Sequence, residues 1–112
     1  PYNQAVEANG MLFVSGQVAI DPATGELVQD SIEAETHRVM HNLRNVLQAA
    51  GLDFSHVVKA SVFVKDMHLY SRINTVYAEY FDEAIAPARE LVEVTNLPKF
   101  VNIEISVIAV RP

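Results

Sequence analysis

The segment NIEISVIAV, Asn102 to Val110, places Ile103, Ile105, Val107 and Ala109 on one side and Glu104, Ser106, Ile108 and Val110 on the other. Period-two alternation reads as a β-strand, yet Ile108 and Val110 carry apolar surface onto the second face too. A strand of this kind must be covered on both sides. The rest of the chain supplies only two helical segments, so one sheet face is left for another copy to cover, and a symmetric oligomer is expected.

Asn9-Gly10 sits between QAVEA and MLFVSGQ, where an Asn-Gly pair predicts a hairpin because both positions tolerate φ > 0. DPATGE, Asp21 to Glu26, has Pro and Gly at turn spacing and leads into a surface loop. A first helix then follows, with Asp30 and Glu33 as a capping box, Ile32, Val39, Met40, Leu43, Val46, Leu47 and Ala50 on its apolar stripe, and Gly51 as its stop.

HVVKASVFVKD, His56 to Asp66, predicts a central strand with Val58, Ala60, Val62 and Val64 on one face. Asp66 is expected to cap a second helix. Its apolar residues Leu69, Ile73, Val76, Tyr77, Tyr80, Phe81 and Ala84 recur until Pro87 forbids continuation, which places the helix end near Ile85. RELVEVT and NIEISVIAV read as two further strands joined by NLPKF. The order ββαβαββ, with no repeat or linker, predicts a single α+β domain over residues 1–112: one mixed sheet with two helices on one face.

Charge and composition remove several function classes. Fourteen acidic against eight basic residues give a net charge of −6, with no basic run to follow a phosphate backbone, so nucleic acid is disfavoured. Cysteine is absent, which excludes disulfides, thiolate metal sites and thiol nucleophiles. Apolar runs such as MLFV and VIAV are too short to span a bilayer, and no membrane association is expected. The first ten residues show no signal-peptide pattern, and a cytoplasmic protein is expected. The glycines at 10, 16, 25 and 51 form neither a P-loop nor a dinucleotide fingerprint, and SGQ around Ser15 lacks a nucleophile elbow.

Few residues remain as candidates for chemistry. His37 and His41 have metal-ligand spacing, but at 100° per residue they fall beside Arg44 and Gln48 on the expected solvated face of the first helix. His56 and His68 lie at element ends, and none of the four is assigned a role. Gly16 directly follows MLFVS, where it marks either a bulge or a close backbone approach. Arg89, in AIAPAREL, offers a permanently charged planar fork that matches a carboxylate; by spacing alone, an ion pair with Glu93 or another acid is favoured. Glu104 sits between Ile103 and Ile105, where burial would raise its pKa into a range useful for proton transfer; the competing readings are a solvent-facing residue or a partner of Arg89.

PYNQAV, FVSGQVAIDPATGELV, LQAAGLDFSHVVKASVFVKDM, INTVYAEYF, APAREL and LPKFVNIEISVIAV, in this order and spacing over essentially the whole chain, resemble the RidA (YjgF) reactive-intermediate deaminase family. That resemblance implies a chorismate-mutase-like α+β fold and a homotrimer with ligand clefts between subunits. It also implies cofactor-independent and metal-independent hydrolysis of 2-imino acids, such as 2-iminobutanoate and 2-iminopropanoate, to 2-oxo acids and ammonia. By the same resemblance, Arg89 matches the arginine that grips the substrate carboxylate and Glu104 the glutamate that positions the attacking water. Ser15 and Gly16 match the strand end lining the cleft, Tyr2 the tyrosine of the Pro-Tyr motif, and Asn74 the helix asparagine near the ligand across the interface.

There are departures from the family pattern. Leu91 stands where cysteine is common and could keep a backbone contact to substrate, Ser106 replaces the second acid of Ile-Glu-Ile-Glu, and the segment from Tyr77 to Arg89 is about two residues short. Competing functions implied by the same resemblance are a trimeric carboxylate-binding regulator without turnover and an endoribonuclease or translation inhibitor; the net negative charge disfavours the latter.

Overall fold

A computed structural model describes residues 1–112. The elements are β1 (Ala5–Ala8), β2 (Met11–Gln17), α1 (Ile32–Ala49), β3 (Val57–Val64), α2 (Tyr70–Ala78), β4 (Ala88–Glu93) and β5 (Ile103–Val110), in the expected order. They build one five-stranded mixed sheet in the order β1-β2-β5-β3-β4. All neighbours are antiparallel except β3 and β4, whose parallel pairing requires α2 as its crossover. The middle of the sheet is therefore β5, and β3, expected to be central, lies one place towards the edge.

Asn9 and Gly10 turn the β1–β2 hairpin with φ of 52° and 75°, as their residue types require. The cap of α1 differs from expectation. Ser31, not Asp30, is the N-cap, its Oγ accepting from the Ala34 backbone N–H at 3.0 Å, and Glu33 instead pairs with Arg72 of α2. At the other end Gly51 takes φ 74°, its N–H donates to Gln48 O, and the Leu52 N–H donates to Leu47 O, closing a Schellman motif.

Ile32, Val39, Met40, Leu43 and Leu47 of α1 pack with Ile73 and Tyr77 of α2 onto Ala60, Val62, Val64, Ile103, Ile105 and Val107 of the sheet. Val58 does not join them and is exposed, because a bulge between Val57 and Lys59 shifts the register and turns Val57 inward instead. The helix α2 is also shorter than its apolar period suggests. It ends at Ala78, and Asp82 accepts from the Ala84 N–H to start a separate 3-10 turn over Glu83–Ile85. Tyr80 and Phe81 leave the helical path to pack edge-on against Phe54. This covers the α1 face assigned to solvent: His37 Nδ1 lies 2.6 Å from Tyr80 Oη, and both His37 and His41 are half-buried.

The second face of the sheet carries no helix. Val6, Phe13, Val92 and Val110 are exposed there, as the pattern of β5 requires. No helix is long and apolar enough to cross a membrane.

Candidate functional site

The functional candidates fall into two groups on opposite faces of the sheet. Pro87 ends the preceding turn, and Arg89 enters β4 opposite Ala60, whose side chain is fully buried, so Arg89 projects towards the helices. There Arg89 Nη1 donates to Asn74 Oδ1 at 2.9 Å and Nη2 donates to Tyr70 Oη at 3.0 Å. The guanidinium carbon lies 4.8 Å from the centroid of the Tyr77 ring and 5.8 Å from that of Tyr70, within cation–π range.

No acid reaches Arg89. Glu90 pairs with Lys59 at 2.7 Å, and Glu93 accepts from the Met67 N–H at 2.7 Å, so the ion pair favoured by spacing is not formed. A cation held only by neutral groups keeps its charge available for an anion. Beside it opens a cavity of about 580 Å³ whose walls include Tyr77, Phe81, Glu83, Pro87 and Arg89. The Tyr77 hydroxyl is buried without a partner, and burial pushes its pKa up against the opposing effect of Arg89.

Glu104 occupies the other face, opposite Phe63 of β3. A Cβ at residue 16 would lie 2.7 Å from Glu104 Cδ and 2.9 Å from Oε2, so glycine is required for the carboxylate to rest on β2. The register of β2 against β5 also shifts between Val14 and Gln17; Gly16 therefore serves both a bulge and a close approach, the two alternatives its sequence position offered. Burial raises the Glu104 pKa above the ordinary carboxylate value, with no cation to oppose it. Tyr2, Ser15, Gly16, Lys99 and Glu104 line a cavity of about 410 Å³. Ser15 holds the N-terminal segment there, its Oγ donating to Asn3 O at 2.6 Å.

The rim of this second cavity depends on residues that periodicity did not single out. Lys99 and Phe100 both adopt left-handed backbone, with φ of 57° and 54°, which is uncommon outside glycine and asparagine. Two residues after Phe100, Asn102 is clamped by a buried acid: Glu35 of α1, 1 % exposed, accepts from the Asn102 backbone N–H at 2.9 Å and from Nδ2 at 2.8 Å. With one hydrogen bond to each oxygen, the carboxylate ties α1 to the start of β5, and so to Glu104.

Tyr2, Ser15, Gly16 and Glu104 are thus together, as are Asn74 and Arg89. Asn74 lies on the same side of the sheet as Arg89 and is bonded to it within the chain. Leu91 borders neither cavity; it shares the Arg89 face, is half-buried and packs on the core. Of the two tyrosines that hold the guanidinium, Tyr77 lay hidden in the apolar pattern of α2, and Tyr70, the first residue of that helix, fell outside the pattern. Arg89 and Glu104 are three residues apart along β3 in register and two strands apart across the sheet. At ~3.3 Å per residue and ~4.8 Å per strand they are separated by more than ~10 Å, with the sheet between their side chains. One chain cannot bring both to a small ligand.

Residues 1–111 match the family model described as Endoribonuclease L-PSP. A solved structure from Thermotoga maritima is 50% identical, superposes with a TM-score of 0.96, and is matched over 100% of this chain and 87% of that one. The 2-iminobutanoate/2-iminopropanoate deaminase of Salmonella typhimurium is 42% identical over 113 residues, covering 99% of this chain and 88% of the relative. The crystal structure of E. coli TdcF with bound serine shares 39% identity and a TM-score of 0.92, over 100% of this chain and 89% of that one. With this fold and an essentially full-length match, the chain belongs to the endoribonuclease L-PSP family, the family of YjgF and RidA.

Proposed function

We propose that this protein hydrolyses reactive 2-imino and enamine acids, such as 2-iminobutanoate and 2-iminopropanoate, to 2-oxo acids and ammonia. The observation that carries the reading is the state of Arg89, a cation bound only by Asn74, Tyr70 and an aromatic face beside an open cavity. The deaminase among its relatives and the serine bound to TdcF support a small carboxylate-bearing ligand. The separation of Arg89 from Glu104 supports a site shared between copies in a homotrimer, with Arg89, Asn74 and Tyr70 of one copy facing Tyr2, Gly16 and Glu104 of the next.

The reaction needs an anchor, an oriented water and a route for protons. Arg89 holds the substrate carboxylate through charge-assisted hydrogen bonds. The ionised Glu104 takes a proton from water as the water oxygen bonds to the carbon of the protonated imine and the C=N π pair moves onto nitrogen. Glu104 then returns that proton to the nitrogen. As the C–N bond breaks, its electron pair leaves with ammonia, and the new hydroxyl becomes the 2-oxo group by giving its proton to the again ionised Glu104, which passes it to the departing ammonia. A carboxyl whose pKa is raised by burial suits both steps near neutral pH.

The test generates 2-iminobutanoate in place with a threonine dehydratase and follows its loss. Wild type should accelerate that loss. Arg89→Ala should reduce kcat/KM by ~10², the value of a lost charge-assisted anchor, and Glu104→Gln by ~10²–10⁴ through kcat. No acceleration by wild type would refute the deaminase reading, and binding of 2-oxobutanoate through Arg89 without turnover would make the protein a carboxylate-binding regulator instead.

A further inference from the structure

The guanidinium of Arg89 dictates the hydrogen-bonding sense of its neighbours. Arginine has five N–H donors and no acceptor. In the 3.0 Å contact with Nη2, Tyr70 Oη can therefore only accept, and its own proton is turned away from the guanidinium. By the same rule Asn74 presents Oδ1 to Nη1, which directs both protons of its Nδ2 away from Arg89. Neither the Tyr70 hydroxyl proton nor the Asn74 Nδ2 group has another partner within the chain, and three of the five guanidinium N–H bonds also remain free.

Apart from the Tyr77 hydroxyl, which is buried, the groups left idle around the guanidinium are thus N–H and O–H donors. Glu83, the acid on the wall of the neighbouring cavity, makes no hydrogen bond to any of them. A patch of accessible donors centred on a permanent cation matches an acceptor-only ligand group, and a carboxylate, with two oxygens and about four lone-pair sites, is such a group. Tyr70 is the first residue of α2 and Asn74 lies one helical turn on, so the helix presents both on the same side. Tyr70 is 39 % exposed, which leaves its hydroxyl within reach of a ligand.

We propose that Tyr70 is a further carboxylate-binding residue of the Arg89 site, donating its hydroxyl proton to the carboxylate that Arg89 holds. This rests on the reading of Arg89 as a carboxylate anchor. Tyr70 acts as a relay of polarity: the arginine consumes its acceptor capacity and leaves a donor aligned beside the charge.

Tyr70→Phe removes the hydroxyl and keeps the ring beside the guanidinium. Calorimetric titration of wild type, Tyr70→Phe and Arg89→Gln with 2-oxobutanoate and with the uncharged 2-oxobutanamide tests the proposal. Tyr70→Phe should weaken 2-oxobutanoate about ten-fold, the loss of one hydrogen bond to a charged group, and leave the amide within about two-fold. Equal affinity of wild type and Tyr70→Phe for 2-oxobutanoate overturns the proposal. An equal loss for both ligands also overturns it, since a residue that only orients Arg89 would act on both. Undiminished carboxylate binding by Arg89→Gln would instead remove the anchor reading itself, whereas loss in Arg89→Gln with none in Tyr70→Phe would reject Tyr70 alone.

Discussion

A methyl group at position 16 would stand 2.7 Å from the carboxyl carbon of Glu104, well inside van der Waals contact. Gly16→Ala must then rotate the glutamate away or open the bulge in β2. We expect about 1–3 kcal/mol of destabilisation from this overpacking, read by urea denaturation, together with loss of imine hydrolysis comparable to that of Glu104→Gln. Glu33 offers a second test at this scale. Arg72 binds it in bidentate fashion at 2.7 and 2.8 Å and, chiefly through that hydrogen bonding, lowers its pKa from 4.5 to about 2. The folded pKa is depressed, so the associated stability is present above pH 4.5 and is lost as pH falls through about 2. Arg72→Ala should return the Glu33 carbon-13 titration towards its ordinary midpoint and flatten the acid limb of the stability curve. The glycine and the glutamate were both visible in the sequence, but their contact was not, because it joins residues 16 and 104 through strand register.

Local chemistry decides the ends of elements, and two such ends differ from what periodicity predicts. Asp30 and Ser31 are both good cap residues, and Glu33 stands three after the first; the structure uses Ser31 because Glu33 is engaged by α2. Ser31→Ala should cost about 1 kcal/mol, and Asp30→Ala less than ~0.5 kcal/mol, as for an ordinary surface change, both measured by thermal and urea unfolding. In α2 the three- and four-residue spacing runs past Ala78 to Tyr80, Phe81 and Ala84. The aromatic pair gains more by packing on Phe54 and His37 than by continuing the helix, and Asp82 offers the backbone a competing hydrogen bond. Hydrophobic spacing identifies residues that will be buried; it does not say whether a helix or a turn buries them.

Across the whole molecule, the sheet separates the cation from the acid, and its uncovered face remains apolar through Val6, Phe13, Val92 and Val110. Both features have one resolution if copies assemble with that face covered and the two half-sites opposed. Arg89→Ala and Glu104→Ala should then each be inactive alone but regain activity when co-expressed or refolded together. Random mixing in equal amounts restores both partners at about a quarter of the sites in a closed cyclic assembly. Recovery well below that level, with mixed oligomers verified by mass spectrometry, would show that one copy supplies both groups. In such an assembly Phe13→Asp should shift the sedimentation coefficient towards a monomer and remove activity, since it would place a charge where the copies meet.

The sequence by itself determined the order of elements, the hairpin at Asn9-Gly10, the stop at Gly51 and the doubly apolar character of β5, because each depends on nearby residues and a fixed period. It also restricted the chemistry by containing no cysteine and few cations, and its family motifs pointed to Arg89 and Glu104. Only the tertiary structure decided that Arg89 lacks an acidic partner, that Tyr70 and Asn74 accept from it instead, that Glu35 fixes Asn102, and that Glu104 lies on the opposite face. These facts depend on strand order, register and face, which bring residues tens of positions apart into contact or keep them apart. No local period in the chain encodes those distances.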